Sequence, residues 1–371
     1  MRILVAPDKF KGSISAAAAS EAIASGMRDA LPTATFTIAP IADGGEGFAE
    51  AMCVALGGTW IERTAKDPLE RDVPCRYAWI EHEKLAVIEM ADASGLWRLS
   101  MEERAPLRAH TFGTGQLIRD AAERGARKIL VGLGGSATTD GGAGIAAALG
   151  YDLLTSDGDD LGPYPGDLIA LERIENFNAI ELPEIIAACD VQNPLLGERG
   201  AARVFAPQKG ADEKTIVHLE ASMKQLAEIV TESLGSDFKD AQGAGAAGGI
   251  GFGLMSFCHA KVRSGFELLA ETIALEQKII DSDLVITGEG RLDAQTLEGK
   301  GPAGVAQLAR KHGKPVIAFG GGVDEAAEKL FDATVPIIDS PLPLEEAISR
   351  GAELLRRAAS RVARLLALRK N

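Results

Sequence analysis

Short apolar runs alternate with helix-length amphipathic stretches at the start of the chain. Residues 2–6 (RILVA) predict a strand, and residues 15–31 predict a helix that ends before Pro32. A second pair follows, with a strand predicted over 35–41 and a helix over 48–56. This repeat of strand and helix is typical of the opening of a parallel sheet.

The C-terminal part of the chain repeats the same rhythm. Strands are predicted over 284–287, 316–319 and 335–338, and helices over 302–312, 325–330 and 344–368. We therefore expect both chain ends to build one α/β domain with an open parallel sheet of the Rossmann or flavodoxin type.

The pattern changes between these ends. Over residues 59–90, apolar and polar positions alternate around turn-forming residues, which is typical of antiparallel hairpins. The sequence thus favours a discontinuous Rossmann-like domain of residues 1–57 and 266–371, with an inserted α+β domain of residues 58–265. Because ligands of open α/β sheets bind beyond the carboxyl ends of the strands, we expect the active site in the cleft between the two domains.

Composition narrows the class of protein and its partners. The 371 residues are 46% hydrophobic and 25% charged, which suits a folded α/β protein. The formal net charge of −14 argues against binding to nucleic acid or to an anionic membrane. The N-terminus does not resemble a signal peptide and no apolar run is long enough to span a bilayer, so we expect a cytoplasmic protein. Reduced core thiols are predicted for Cys53, Cys75, Cys189 and Cys258.

Two polar loops follow strands of the predicted terminal domain. Lys9 and Lys11 come after the first strand, where either ammonium could hold a carboxylate or a transferring phosphoryl group. Glu289 and Asp293 come after the strand at 284–287, in a loop with more polar groups than a turn requires. Solvated lysines and a plain turn are the structural alternatives.

Two further acidic segments are candidates for metal or hydroxyl binding. Asp43 and Glu46 lie among three glycines after the second strand, and carboxylates in such a loop can bind Mg²⁺ or orient a hydroxyl. Asp190 ends a short apolar run beside Asn193. The Asn–Pro pair by itself indicates only a turn.

The segment 132–144 (GLGGSATTDGGAG) lies between a strand predicted over 128–131 and a helix over 145–149. Its backbone N–H groups can form an anion nest, and its hydroxyls can add hydrogen bonds to phosphate. A Mg²⁺ bridge would make the acid in this loop useful beside phosphates. The predicted nucleotide-binding residues are Gly134, Gly135, Ser136, Thr138, Thr139, Asp140 and Gly141.

The sequence is also compatible with two other functions. Gly132, Gly134 and Ala137 satisfy a relaxed dinucleotide fingerprint, so a nicotinamide-dependent hydroxy-acid dehydrogenase is an alternative. In that fingerprint the helix follows the glycines directly, whereas here a hydroxyl-rich insertion intervenes. A second GxGxxG at 243–248 does not follow a strand, and we interpret it as close packing or as another phosphate-facing loop. A non-catalytic phosphometabolite-binding protein would use the same loops without a general base.

Seven blocks stand in order along the chain: APDKFKGS at the start, ADGGEG at 42–47, GLGGSATTDGGAG at 132–144, ACDVQNPLLG at 188–197, FAPQKGA at 205–211, GAGAAGGIG at 243–251 and TGEGRLDAQT at 287–296. Together they resemble the bacterial glycerate kinase type 1 family. The resemblance implies phosphorylation of D-glycerate by ATP with Mg²⁺, on two α/β domains with the site between them. It implies 2-phosphoglycerate as the product, as in many members, or 3-phosphoglycerate, as in others.

For such a kinase we assign roles to the candidate residues as a hypothesis. The 132–141 nest and Mg²⁺ would hold the ATP phosphates, with Asp190 or Glu289 as metal ligands. Lys9 or Lys11 would neutralise the substrate carboxylate or the transferring group. The base is a carboxylate, with Asp43 and Asp293 as the leading candidates. The sequence leaves the oligomeric state open, with a homodimer as one option.

Overall fold

The structure is a computed structural model that describes residues 1–42, 44–293, 296 and 301–368. Strands and helices alternate over most of it. The strands are β1 (Arg2–Val5), β2 (Thr35–Ile38), β3 (Thr59–Lys66), β4 (Asp72–Ile80), β5 (Leu85–Glu89), β6 (Lys128–Gly132), β7 (Asp152–Leu154), β8 (Arg173–Glu175), β9 (Glu184–Ala188), β10 (Lys261–Arg263), β11 (Leu284–Leu292), β12 (Val316–Val323) and β13 (Ala333–Pro336). The helices are α1 (Ala16–Arg28), α2 (Phe48–Ala55), α3 (Met90–Ser94), α4 (Phe112–Glu123), α5 (Ala143–Leu149), α6 (Ala201–Phe205), α7 (Glu213–Leu234), α8 (Ala246–Cys258), α9 (Gly265–Thr272), α10 (Leu275–Ile280), α11 (Pro302–Lys311), α12 (Glu325–Glu328), α13 (Leu344–Ser349) and α14 (Gly351–Leu368).

The chain forms two compact units. The first unit comprises Met1–Asp43 and Phe266–Asn371, and the second comprises Gly44–Gly265. The boundary predicted at residue 57 differs from this division, because α2 packs on β4 and β5 of the second unit. The apolar face of α2 explains this position, since Phe48 and Met52 are buried at 0% and 2% exposure.

The sheet of the first unit is fully parallel, in the order β13-β12-β11-β1-β2. From β1 the chain moves outward to β2, whereas from β11 it moves outward in the opposite direction to β12 and β13. The strand order therefore reverses between β1 and β11, and open α/β sheets bind ligands at the carboxyl edge of such a switch point. Alternating β-branched residues of β1 put Ile3 and Val5 into a core shared with Ile286 and Phe319.

The prediction of a single long helix over 344–368 is wrong, because α13 ends at Ser349 and α14 begins at Gly351. Arg350 leaves the helical conformation between α13 and α14, with φ −103° and ψ 14°. Its guanidinium bonds to Glu346 on one side of the break and to Glu353 on the other, at 2.7 and 2.8 Å. These ion pairs bridge the break between α13 and α14.

The sheet of the second unit is mixed, in the order β10-β9-β6-β5-β4-β3. The strands β3, β4 and β5 pair antiparallel, which confirms the hairpins predicted for residues 59–90, while β5, β6, β9 and β10 are parallel. A separate antiparallel pair joins β7 and β8. The fold class, α/β with a second inserted domain, agrees with the prediction.

The cysteines are buried and free, as predicted. In the part of the chain that the structure describes, no helix combines the length and the apolar content needed to span a bilayer.

Candidate active site

The carboxyl edge of the parallel strands in the second unit lines up four backbone positions. Glu89, Gly132, Ala188 and Arg263 are register partners across β5, β6, β9 and β10. The N–H of Cys189 donates to the carbonyl of Arg263 at 2.8 Å, so the segment leading to Asp190 stays close to this edge. Two predicted site segments, 132–144 and 188–197, thus begin side by side.

The loop at Gly44 and Gly45 lies directly against this edge. A Cβ atom at Gly132 would be 2.5 Å from the carbonyl oxygen of Gly44, and one at Gly134 would be 2.6 Å from the Cα of Gly45. A Cβ atom at Gly44 would in turn be 2.8 Å from the carbonyl oxygen of Ala188. These approaches bring a third predicted segment to the same place. Its acid Asp43, a candidate base, lies outside the described residues.

Glu89 is a site-edge carboxylate that sequence reasoning did not single out. It accepts hydrogen bonds from the backbone N–H groups of Gly47 and Ala49, at 3.0 and 2.8 Å. Gly47 begins α2 without a side chain to cap it, so Glu89 supplies the cap and its charge favours the helix N-terminus. In the sequence, Glu89 only ends a predicted strand. The N–H groups that it caps lie about forty residues earlier, so no local signal marks its role.

The loop between β6 and α5 carries backbone donors that the protein does not use. Leu133, Ala137 and Gly141 donate to other backbone carbonyls. Within the described residues, no acceptor is found for the N–H groups of Gly134, Gly135, Ser136, Thr138, Thr139 and Asp140. Uncommitted N–H groups on a glycine-rich loop are the donors that an anion-binding nest needs.

The side chains of this loop add two further hydroxyls. Thr138 and Thr139 are both 0% exposed, and their Oγ1 atoms have no hydrogen-bond partner within the described residues. A buried polar atom without a partner is uncommon and indicates a bound water, ion or ligand group. The loop therefore fits a phosphate-bearing ligand by the chemistry of both its backbone and its side chains.

Asp140, in contrast, is fully engaged within the protein. Its carboxylate is 0% exposed and accepts hydrogen bonds from the N–H and Oγ1 of Thr111 at 2.8 and 2.6 Å. It also accepts from the N–H groups of Gly144 and Gly142 at 3.1 and 3.3 Å. It thus ties the start of α4 to the start of α5. This geometry favours a capping role, and the assignment of Asp140 to the nucleotide site stays a prediction.

The glycine-rich segment at 243–251 packs against the same loop. A Cβ atom at Gly248 would be 1.9 Å from the carbonyl oxygen of Thr138, and one at Gly249 would be 2.7 Å from the Cα of Gly141. Gly248 and Gly249 have φ angles of +79° and +92°, which distort the first turn of α8. Close backbone packing, one of the two interpretations given for this motif above, accounts for these glycines.

The first unit holds the other predicted residues at its switch point. The N–H of Asp8 donates to the carbonyl of Gly288 at 2.8 Å, and a Cβ atom at Gly290 would be 3.0 Å from the backbone nitrogen of Lys11. The segment containing Lys9 and Lys11 therefore runs beside the end of β11. The Lys9 side chain is partly buried and that of Lys11 is exposed.

The acids at the end of β11 are held by short-range contacts. Thr296 donates from Oγ1 to a carboxylate oxygen of Glu289 at 2.8 Å and accepts from the N–H of Asp293 at 3.0 Å. Asp293 is 25% exposed and lies 3.4 Å from the guanidinium of Arg291, which is 3.5 Å from Asp324. Both predicted acids of this loop are thus oriented, and Asp293 keeps access to solvent.

No group of three or more metal-ligating side chains gathers within residues 1–42, 44–293, 296 and 301–368. That does not conflict with Mg²⁺, which is usually held by one or two carboxylates, waters and substrate phosphates. Asp190 in the second unit and Glu289 in the first stay predicted ligands.

Comparison with known proteins decides the family. The chain matches the model of the glycerate kinase family over residues 3–367. It belongs to the glycerate kinase family. The glycerate kinase of Halalkalibacterium halodurans is 43% identical over 97% of both chains. The glycerate 2-kinase of Escherichia coli is 42% identical over 99% of this chain and 98% of its own.

A solved structure supports the same assignment. A crystal structure provisionally assigned as glycerate kinase 2 from Salmonella typhimurium LT2 superposes with a TM-score of 0.86. It shares 40% sequence identity and covers 100% of this chain and 99% of its own. The predicted family, fold class and kinase function are confirmed, while the roles of individual site residues stay predictions.

Proposed function

We propose that this protein transfers the terminal phosphoryl group of ATP to a hydroxyl of D-glycerate, giving 2-phosphoglycerate and ADP. The observation that carries the proposal is the loop between β6 and α5. Six of its seven N–H groups between Gly134 and Asp140, and the hydroxyls of Thr138 and Thr139, have no hydrogen-bond partner in the described part of the chain. Phosphoryl transfer depends mainly on positioning and charge neutralisation, and such a loop supplies both for a polyphosphate. The E. coli relative named glycerate 2-kinase supports the 2-phospho product.

The remaining roles follow the chemistry of each residue. Lys9 or Lys11 neutralises the glycerate carboxylate or the transferring group, and Asp43 or Asp293 accepts the hydroxyl proton. Asp190 or Glu289 binds Mg²⁺, which neutralises phosphate charge when bound. Participation of both units in one site stays a prediction, as do the cytoplasmic location and the homodimer option.

A turnover assay with two readouts tests this function. ADP formation should require both D-glycerate and Mg²⁺, and NADH fluorescence should not increase on mixing with the protein. ADP formation that does not depend on D-glycerate would contradict the proposal, because it would be ATP hydrolysis without transfer to glycerate. NADH binding without ATP turnover would also contradict it and would favour the dehydrogenase alternative. Binding of ATP and glycerate without any turnover would favour a non-catalytic binding protein.

Thr139→Val should weaken ATP binding without destabilising the fold. The variant keeps the shape of the side chain and removes a buried hydroxyl that has no hydrogen-bond partner among the residues that the structure describes. Loss of one hydrogen bond to a ligand corresponds to a roughly threefold to tenfold increase in the dissociation constant for ATP. Equilibrium binding and urea unfolding measure the two effects, with Thr59→Val on the exposed end of β3 as the control. Unchanged ATP affinity together with lower stability would indicate a purely structural hydroxyl.

Asp190→Asn should raise the Mg²⁺ concentration needed for half-maximal turnover. The amide lacks the negative charge that attracts the cation, so we expect a shift of about tenfold or more, with a smaller effect on the maximal rate at saturating Mg²⁺. Asp240→Asn removes an exposed carboxylate of the same unit and serves as the control. An unchanged Mg²⁺ titration would leave Glu289 as the remaining candidate ligand.

A further inference from the structure

Lys209 places a buried amine against the loop between β6 and α5. The residue ends the 3₁₀ turn Pro207–Lys209 and is 2% exposed. Its Nζ donates to Ser136 Oγ at 2.7 Å and to the carbonyl of Thr138 at 2.5 Å. Ser136 Oγ then donates to the carbonyl of Ala247 at 2.8 Å. Through Ser136, the side chain of Lys209 thus connects the loop to the first turn of α8.

The backbone of α8 packs closely against this amine. A Cβ atom at Gly248 would lie 2.8 Å from Nζ of Lys209 and 1.9 Å from the carbonyl oxygen of Thr138. Gly248 also has a φ of +79°, in the left-handed region that favours glycine. The backbone of α8 therefore closes directly over the contacts between Lys209 and the loop.

A buried lysine is costly, and an apolar side chain of similar length would fill the same volume without that cost. Polar groups retained in such places commonly serve a site rather than the stability of the fold. Both acceptors of Lys209 belong to the stretch that carries the uncommitted N–H groups. The location of this amine therefore connects it to the phosphate-bearing ligand that we propose for the loop.

We propose that Lys209 is a positioning residue for the nucleotide: its Nζ fixes Ser136 and Thr138, and with them the phosphate-binding arrangement of the loop, and it contributes positive charge when phosphates are bound. This role rests on the proposed function, since it assumes that the loop binds ATP. Lys209 acts through Ser136 and Thr138 and is not assigned a contact with substrate.

The protonation state of Lys209 makes its effect on ATP binding depend on pH. Burial lowers the pKa of Lys209 to about 7, and the carboxylate of Asp140 opposes that shift. Asp140 in turn interacts with His110, whose own pKa is lowered by burial, and Arg104 bonds to the carbonyl of Gln208 at 3.0 Å. In the free protein above pH 7, Lys209 is largely a neutral amine, whose two N–H groups match its two acceptors.

Bound phosphate favours the charged form of Lys209 and raises its pKa. Above pH 7, ATP binding then requires uptake of a proton, so affinity should fall as the pH rises, by up to about tenfold per pH unit. Below pH 7 the amine is protonated in both states, and its contribution to the pH dependence disappears. Titration of ATP itself and of His110 is common to wild type and variant and cancels in their ratio.

The experiment compares wild type with Lys209→Met and uses Lys214→Met, the same substitution at an exposed position of α7, as the control. In Lys209→Met we expect the dissociation constant for ATP at pH 7 to rise about tenfold or more, while KM for D-glycerate changes less than threefold. The wild-type loss of affinity from pH 7 to 9 should be reduced. In nucleotide-free protein, amides of residues 132–142 should exchange hydrogen faster than in the control.

Wild-type ATP affinity, pH dependence and loop exchange in Lys209→Met would overturn the proposal. If that variant does not fold, calorimetry on wild type at pH 8 in buffers of different ionisation enthalpy replaces it. Net proton uptake on ATP binding supports the role, and none contradicts it. If wild type binds no ATP, the proposed function itself fails, and unchanged loop exchange in the nucleotide-free variant separately refutes the fixing of the loop by Lys209.

Discussion

Asp140→Asn is expected to lower the free energy of unfolding of the second unit by about 3 kcal/mol, because buried hydrogen bonds to a charged group each contribute about 1.5–3 kcal/mol. The carboxylate accepts four hydrogen bonds that hold the starts of α4 and α5. An amide can accept at only one of its two terminal atoms. The NH₂ group of the asparagine would face the backbone N–H of Gly142 or that of Gly144, depending on its orientation. Two donors would then point at each other, and neither would have an acceptor.

Tryptophan fluorescence in urea measures this effect in the relevant unit. All three tryptophans, Trp60, Trp79 and Trp97, lie within Gly44–Gly265, so their emission follows the unfolding of that unit. Asp157→Asn, at an exposed position of the same unit, is the matched control and should change stability by less than about 0.5 kcal/mol. If Asp140→Asn is as stable as this control, Asp140 is not the cap described above and its assignment to the nucleotide site gains support.

Asp293→Asn is expected to lower kcat by about 100-fold or more, with KM for ATP changed less than threefold. Loss of a general base typically costs 10²–10⁴ in rate, and the amide cannot accept the proton of the glycerate hydroxyl. The Asp293 side chain is 25% exposed and its carboxylate lies 3.4 Å from the guanidinium of Arg291, so it keeps the access to solvent that a base needs to meet a substrate.

Asp324→Asn is a closely matched control, because Asp324 pairs with the same Arg291 and differs in its position at the end of β12. It should retain near-normal kcat. A large loss in Asp43→Asn with near-normal kcat in Asp293→Asn would assign the base to Asp43. Near-normal kcat in both Asp43→Asn and Asp293→Asn would refute the choice of base altogether.

The hydrophobic pattern predicted those parts of the fold that local sequence determines. β1 and β2 form parallel strands as expected, and the alternation at 59–90 gives antiparallel β3, β4 and β5. The pattern did not reveal the break at Arg350, which is seen only in the backbone angles of that residue. Nor did it assign α2 to its unit, since the choice between two neighbouring sheets depends on distant packing.

The candidate site was predictable where its chemistry is written in one segment. Glycines and hydroxyls in a row predicted a phosphate-binding loop after β6, and that loop has backbone N–H groups and hydroxyls without partners in the described part of the chain. The roles of Glu89 and Lys209 could not be inferred in this way, because their partners lie about forty and seventy residues away. Asp140 shows the reverse case: its place in a polar loop favoured a ligand role, whereas its hydrogen bonds to Thr111 and Gly144 are structural.

Phosphorus NMR of the reaction with D-glycerate, ATP and Mg²⁺ tests most directly whether this protein transfers a phosphoryl group from ATP to D-glycerate. We expect the signals of ATP to be replaced by those of ADP and 2-phosphoglycerate, with one molecule of each formed for every ATP consumed. ATP left intact beside D-glycerate, or ADP formed together with inorganic phosphate and no phosphoglycerate, would contradict it.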